Sequence, residues 1–196
     1  MLIPNGQYPR GGMPFDFNQV KTAQATAFLL NRSHRHRKSY MKIIKLLYIA
    51  DKESLKETGR PITGDRFVAM KKGPVLSEVY DLIKGKSSGS PAWNKFFRTH
   101  AGLFEIELVG DPGTGKLNRY ETDKLNEVWE RYKNHGKWRV VDLTHDFPEW
   151  KKNDPGESMK PIPLSDVLEA VGASHRQANI ERDAAEQRAF NHLFGD

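Results

Sequence analysis

His145, the run from Arg32 to Lys38 and the loop from Gly110 to Lys116 carry the side chains that could do chemistry. His145 follows Thr144 and precedes Asp146, and a carboxylate at Asp51 or Asp146 could orient its ring as a general base. No serine or cysteine stands in a recognisable nucleophile elbow. The chain has no cysteine, which excludes disulfides and cysteine-based zinc sites. A histidine beside threonine and tryptophan also suits a packed structural role, so no catalytic residue is expected.

The run Arg32-Ser33-His34-Arg35-His36-Arg37-Lys38 offers His-x-His to a metal or a row of cations to phosphate. Nothing nearby adds further ligands at a helical spacing, so no metal site is expected. The simplest reading is a solvated basic loop whose Arg32, Arg35, Arg37 and Lys38 form a secondary contact for an acidic partner. Gly110-Asp111-Pro112-Gly113-Thr114-Gly115-Lys116 matches the G-x-x-x-x-G-K phosphate loop. Leu117 stands where that loop needs a hydroxyl for Mg²⁺, and residues 118–121 read as a strand, not a helix that could hold phosphate. Ordinary hairpin-turn chemistry is the expectation, with no cofactor.

The length of 196 residues suffices for one domain with a core. With 37% hydrophobic and 29% charged residues the chain is of the soluble globular kind, and no apolar run reaches the length of a membrane span. Residues 1–12 lack the pattern of a secretory signal, so a cytoplasmic location is expected. The net charge of +6 favours an acidic partner, either nucleic acid or an acidic protein face.

Positioning falls to the stretch from Tyr40 to Ile83. Its first part should be a helix nearly surrounded by protein, with Lys42, Lys45, Lys52, Glu53 and Lys56 as a narrow polar stripe. Asp51 projects opposite that stripe, among apolar residues. It is either a structural acid accepting bonds from backbone N–H groups of the following loop or a partner-binding carboxylate. Pro61 and Gly64-Asp65 make a turn, residues 66–70 a strand, and Gly73-Pro74 the start of an amphipathic helix with Leu76, Val79, Tyr80 and Ile83.

Around that stretch, Asp16 with Gln19 predicts the cap of a first helix, stapled by Phe15 and Val20. Ser90-Pro91 opens a short helix holding Trp93, Phe96 and Phe97. Thr122 caps a helix with Leu125, Val128, Trp129 and Tyr132, and residues 138–146 are helical again. Ser174 with Gln177 caps a last helix. The expected fold is α+β, predominantly α-helical with a small antiparallel sheet from about 66–71, 103–109 and 117–121. The helix at about 40–56 lies buried at its centre. A single domain covers 15–196, ending in a helix at about 174–194, and residues 1–14 are a flexible arm.

Four ordered pieces carry a family resemblance: Lys45-Leu46-Leu47-Tyr48-Ile49-Ala50-Asp51, Gly59-x-Pro61-Ile62-Thr63-Gly64-Asp65, Gly73-Pro74-Val75 and Val79-Tyr80-Asp81. Leu143-Thr144-His145 followed by Trp150 is a fifth. Together they resemble the SocA-like antitoxin family, the Panacea domain, also known as phage-associated GepA-like proteins. The resemblance implies an antitoxin that neutralises a cognate toxin, encoded nearby, by direct protein contact. It implies as toxin classes small alarmone synthetases and other translation inhibitors, and a protease partner for a relative that acts as an adaptor. On this reading Asp51, Thr63, Gly64, Asp65, Lys71, Lys72, Gly73, Pro74, Tyr80 and Asp81 frame the partner-binding surface, while His145 and Trp150 are structural. Two other readings stand beside it: a nucleic-acid-binding phage-associated protein and a hydrolase using His145 and Asp51.

Overall fold

The computed structural model describes residues 12–194. Most of the expected arm at 1–14 lies outside the described residues, and within its described end Met13 is buried in the core. In chain order, α1 (Gln19–Asn31) leads through a 3₁₀ turn (His34–His36) and β1 (Arg37–Ser39) into α2 (Tyr40–Thr58). β2 (Phe67–Met70) and β3 (Gly73–Leu76) form a hairpin that runs into α3 (Ser77–Ile83). Then come α4 (Ser90–Trp93), β4 (Phe97–His100), β5 (Glu105–Leu108), α5 (Arg119–Tyr132) and α6 (Lys137–His145). The chain closes with α7 (Pro148–Lys152), β6 (Lys160–Pro161), α8 (Leu164–Ala170) and α9 (Gln177–Phe194). The fold is α+β and mostly helical, with two three-stranded antiparallel sheets among the described residues, in the orders β1-β5-β4 and β3-β2-β6. Among the described residues no helix is long and apolar enough to cross a membrane.

α2 lies at the centre, as its composition predicts, and packs against α5, α6 and β3. Ile43, Leu46, Tyr48, Ala50 and Leu55 are sealed from solvent. The lysine stripe departs from expectation: Lys42 and Lys45 are buried, and only its later members Lys52, Glu53 and Lys56 reach water. The reason is tertiary. A lysine stem packs like a hydrocarbon, and its ammonium can satisfy carbonyls left unpaired where another helix ends. Lys42 Nζ donates to the carbonyls of Tyr132, Lys133 and His135 at 2.8, 3.0 and 2.6 Å, closing the end of α5.

Several element boundaries correct the sequence reading. α1 is capped by Asn18, whose side chain accepts from Lys21 N, and the expected staple residue Val20 is exposed. The competing Asn18 wins because its backbone N–H is also fixed by Thr63 O at 2.9 Å. Residues 117–121 are not a strand. Asn118 and Glu121 form a reciprocal capping box that starts α5, four residues before the expected cap at Thr122. Gly73-Pro74 opens a strand, not a helix. Pro74 pairs with Ala69 on an edge strand, where a missing N–H costs no ladder bond. The α4 helix ends at Trp93, and Phe97 begins β4, so two of the expected three aromatics leave the helix while Trp93 and Phe97 still meet in the core. Ser174 begins a 3₁₀ turn before α9, with no side-chain cap. α9 packs through Ile180 and Ala184, and its apolar end at Phe190, Leu193 and Phe194 is exposed.

Candidate functional site

Asp51 and Asp65 organise the loop after α2 by the same device. Asp51 Oδ1 accepts the backbone N–H of Ile62 at 2.9 Å and of Thr63 at 3.0 Å, and its Oδ2 accepts the Thr63 hydroxyl. Thr63 Oγ1 in turn accepts Asp65 N at 3.1 Å. The Asp65 carboxylate reaches forward to the start of α3, accepting Arg66 N at 2.6 Å and Glu78 N and Val79 N at 3.0 Å. It therefore caps α3 from twelve residues upstream of Ser77, supplying the acceptor that orphan N–H groups need. Burial pushes both carboxyls up to about 7, and the hydrogen bonds pull the other way. Gly64 is required here: its φ is +71°, and a Cβ would sit 2.0 Å from Asp16 O.

The β2–β3 turn is held from behind by a second set. Lys45 Nζ donates to Pro74 O at 2.6 Å, and burial depresses this ammonium to about 7. Trp150 Nε1 donates to Met70 O at 3.0 Å, and its ring stacks on His145 at 4.4 Å. Gly73 has φ +89°, and a Cβ on it would lie 2.7 Å from Lys45 Nζ and Thr144 Oγ1 and 3.2 Å from His145 Cδ2. The Thr144-His145 and Trp150 pieces thus form the floor under the turn. Among the described residues Asp51 accepts from Ile62 and Thr63 and makes no hydrogen bond to His145, whose ring is packed against Trp150.

The ten residues expected to frame one surface divide by depth. Asp51, Thr63, Gly64, Asp65, Gly73 and Pro74 are buried; Lys71 and Lys72 are exposed; Tyr80 and Asp81 are half-buried. They also divide by place. Thr63 and Gly64 border a cleft beside α9, whereas Lys71, Lys72, Gly73 and Tyr80 border a separate cleft of about 280 Å³ next to α2. Asp81 borders neither. Burial and the neighbouring Glu78 raise its carboxyl.

The α2-side cleft gathers residues that the spacing did not single out. Its wall includes Tyr40, Met41, Ile44 and Phe104. Phe104 is 52% exposed and left-handed at φ 56°, a strained state for a bulky side chain. Its carbonyl accepts Tyr40 N at 3.1 Å, which fixes the strained residue against the start of α2. Lys84 Nζ donates to the Tyr40 hydroxyl at 2.7 Å and lies 5.7 Å from the Tyr80 ring centre. On the other flank Lys72 lies 5.3 Å from the ring of Trp138, itself 53% exposed. No sequence signal marks Phe104, because a left-handed phenylalanine leaves no trace in spacing.

The basic run divides too. Arg32 covers the Phe28 ring at 3.6 Å, Arg37 pairs with Glu105 at 2.7 Å, and Arg35 is exposed in the 3₁₀ turn. Among the described residues no three His, Cys, Asp or Glu side chains gather as a metal-binding group.

A family model described as antitoxin SocA-like, Panacea domain, matches residues 43–151. The chain belongs to the SocA-like antitoxin family. The matched span begins on α2, takes in both carboxylate relays and the β2–β3 turn, and ends just after Trp150. The Panacea domain of this chain is therefore the part in which buried Lys45, Asp51 and Asp65 and half-buried His145 and Trp150 fix the loops. No curated protein and no solved structure matches the chain.

Proposed function

We propose that this chain neutralises a cognate protein toxin by direct contact, through the face around the Lys71–Pro74 turn. The supporting observation is the α2-side cleft, where exposed Phe104 and half-buried Tyr80 and Met41 sit inside a rim of Lys71, Lys72 and Lys84. An aromatic centre within a charged rim is the composition of protein-binding surfaces, and exposed large apolar side chains are otherwise unfavourable in water. The cationic rim suits an acidic face on the toxin, in keeping with the net charge of +6. Asp51, Thr63, Gly64 and Asp65 serve this face indirectly, by setting the loop and α3. The toxin class in keeping with the family is a small alarmone synthetase or another translation inhibitor.

The test is a pull-down of the tagged chain from its native locus, followed by growth and binding assays on whatever protein co-purifies. A near-stoichiometric partner that arrests growth when expressed alone, and is silenced by co-expression, supports the reading. The double variant Phe104→Ser/Lys72→Glu should then weaken binding roughly 100-fold, with thermal unfolding little changed. Unchanged affinity would place the contact elsewhere. Co-purified nucleic acid without a protein partner would replace the antitoxin reading with nucleic-acid binding.

A further inference from the structure

A third cleft, of about 420 Å³, opens between the His34–His36 turn, β1 and the junction of α5 with α6. Arg35, Arg37, Lys38, Lys42 and Lys137 border it, against Glu105 as the one carboxylate among its lining residues. Glu105 is already engaged with Arg37 at 2.7 Å. The three carbonyl bonds of Lys42 use its donors and leave its charge uncompensated, and Lys38 adds to the burial that holds this ammonium down at about 8. Concave surfaces of one sign concentrate the potential that draws in a counter-charge.

Two further features belong to residues that border the same space. α6 begins at Lys137 after Gly136, which gives it no side-chain cap, and both residues border the cleft, so the uncapped start of the helix lies at its edge. Ser39 Oγ and His135 Nδ1, on two other lining residues, are solvent-shielded polar atoms with no hydrogen-bond partner among the described residues. The turn that presents Arg35 holds two consecutive left-handed non-glycine residues, Arg35 at φ 54° and His36 at φ 51°. Such strain persists only where surroundings over-determine it, and it is concentrated at ligand clamps.

We propose that this cleft binds a small phosphorylated molecule bearing at least two phosphate charges, of nucleotide size. Arg35, Lys38 and Lys137 supply the charged donors, and the first turn of α6 supplies backbone N–H groups. The volume falls within the ordinary range for small-molecule sites. The site lies apart from the Lys71–Pro74 turn and does not rest on the toxin reading.

The test uses the isolated full chain with inorganic pyrophosphate and ATP as probes, by calorimetry and by amide chemical-shift mapping at about 50 mM salt. One-to-one binding is expected, with shifts gathered at residues 34–39 and 135–139. Arg35→Gln/Lys137→Gln should weaken affinity roughly tenfold or more, since each lost charge-assisted contact carries more than a neutral one. Absence of heat and of shifts at millimolar probe overturns the proposal, as do shifts lying elsewhere. Tight duplex or single-strand binding that pyrophosphate does not displace overturns it in favour of nucleic acid. Because the mapping is done on the unaltered chain, the test stands even where the double variant fails to fold.

Discussion

Replacing Lys45 with methionine should change the sign of its effect on stability as pH is raised. The ammonium is buried beneath Gly73 and donates to Pro74 O, and burial depresses it to about 7 from the ordinary 10.5. A depressed folded-state value means that the folded chain binds fewer protons than the unfolded chain between these limits. The lysine's contribution is therefore complete only above pH 10.5 and is lost as pH falls toward 7. At about 1.4 kcal/mol per pH unit, the cost at pH 7 is of order 4–5 kcal/mol. Methionine removes that cost, fills a similar volume and leaves Pro74 O without a donor, a loss of about 2 kcal/mol. Lys45→Met should then be more stable than the parent by about 2 kcal/mol at pH 7, and less stable by about 1 kcal/mol at pH 9.5. Urea unfolding followed by tryptophan fluorescence at both pH values measures the difference, and subtracting the parent cancels every other titration. A difference that stays constant across that interval would show that the Lys45 amine titrates normally.

Asp51 and Asp65 titrate in the opposite sense. Their folded values are raised to about 7, so their contribution is full below the ordinary carboxylate value of 3.8 and lost as pH rises through 7. Parent stability should fall by a few kcal/mol from pH 4 to 7, and Asp51→Asn/Asp65→Asn should flatten that limb in the same urea series. Gly73→Ala should destabilise by about 2–4 kcal/mol, because it adds a left-handed Cβ within 2.7 Å of two polar atoms; chemical denaturation reads it directly. Trp150→Phe keeps most of the ring against His145 and deletes the donor to Met70 O. It should cost about 1 kcal/mol and speed hydrogen exchange of the Lys71–Gly73 amides.

Periodicity sufficed for α2 because a helix with so few polar positions has to be central, and it also showed Asp51 as a carboxylate on the wrong side of that helix. Its partners, the N–H groups of Ile62 and Thr63, lie in the next loop, so a local reading could reach them. Lys42 and Lys45 were misplaced because lysine spacing records charge, whereas their environment is set by carbonyls of Tyr132, Lys133, His135 and Pro74 far along the chain. Pro74 and Asn118 failed for a related reason. Each residue suits two local structures, and pairing with Ala69 in one case and a reciprocal bond with Glu121 in the other decided between them. The motif residues were legible as a group. Their division into buried fasteners and an exposed turn was not, since spacing carries no depth.

The fastening of the β2–β3 turn separates two demands that a binding surface normally makes of the same residues. Lys45, His145 and Trp150 hold the backbone from the inside, through Pro74 O, the space under Gly73 and Met70 O. Lys71 and Lys72 stand outside, in surface pairs with Glu157 and the Trp138 ring that contribute little to stability. The two outward positions can therefore exchange side chains while the loop keeps its path. A scaffold built in this way can be re-aimed at a new partner by one or two substitutions, at almost no cost to its own folding.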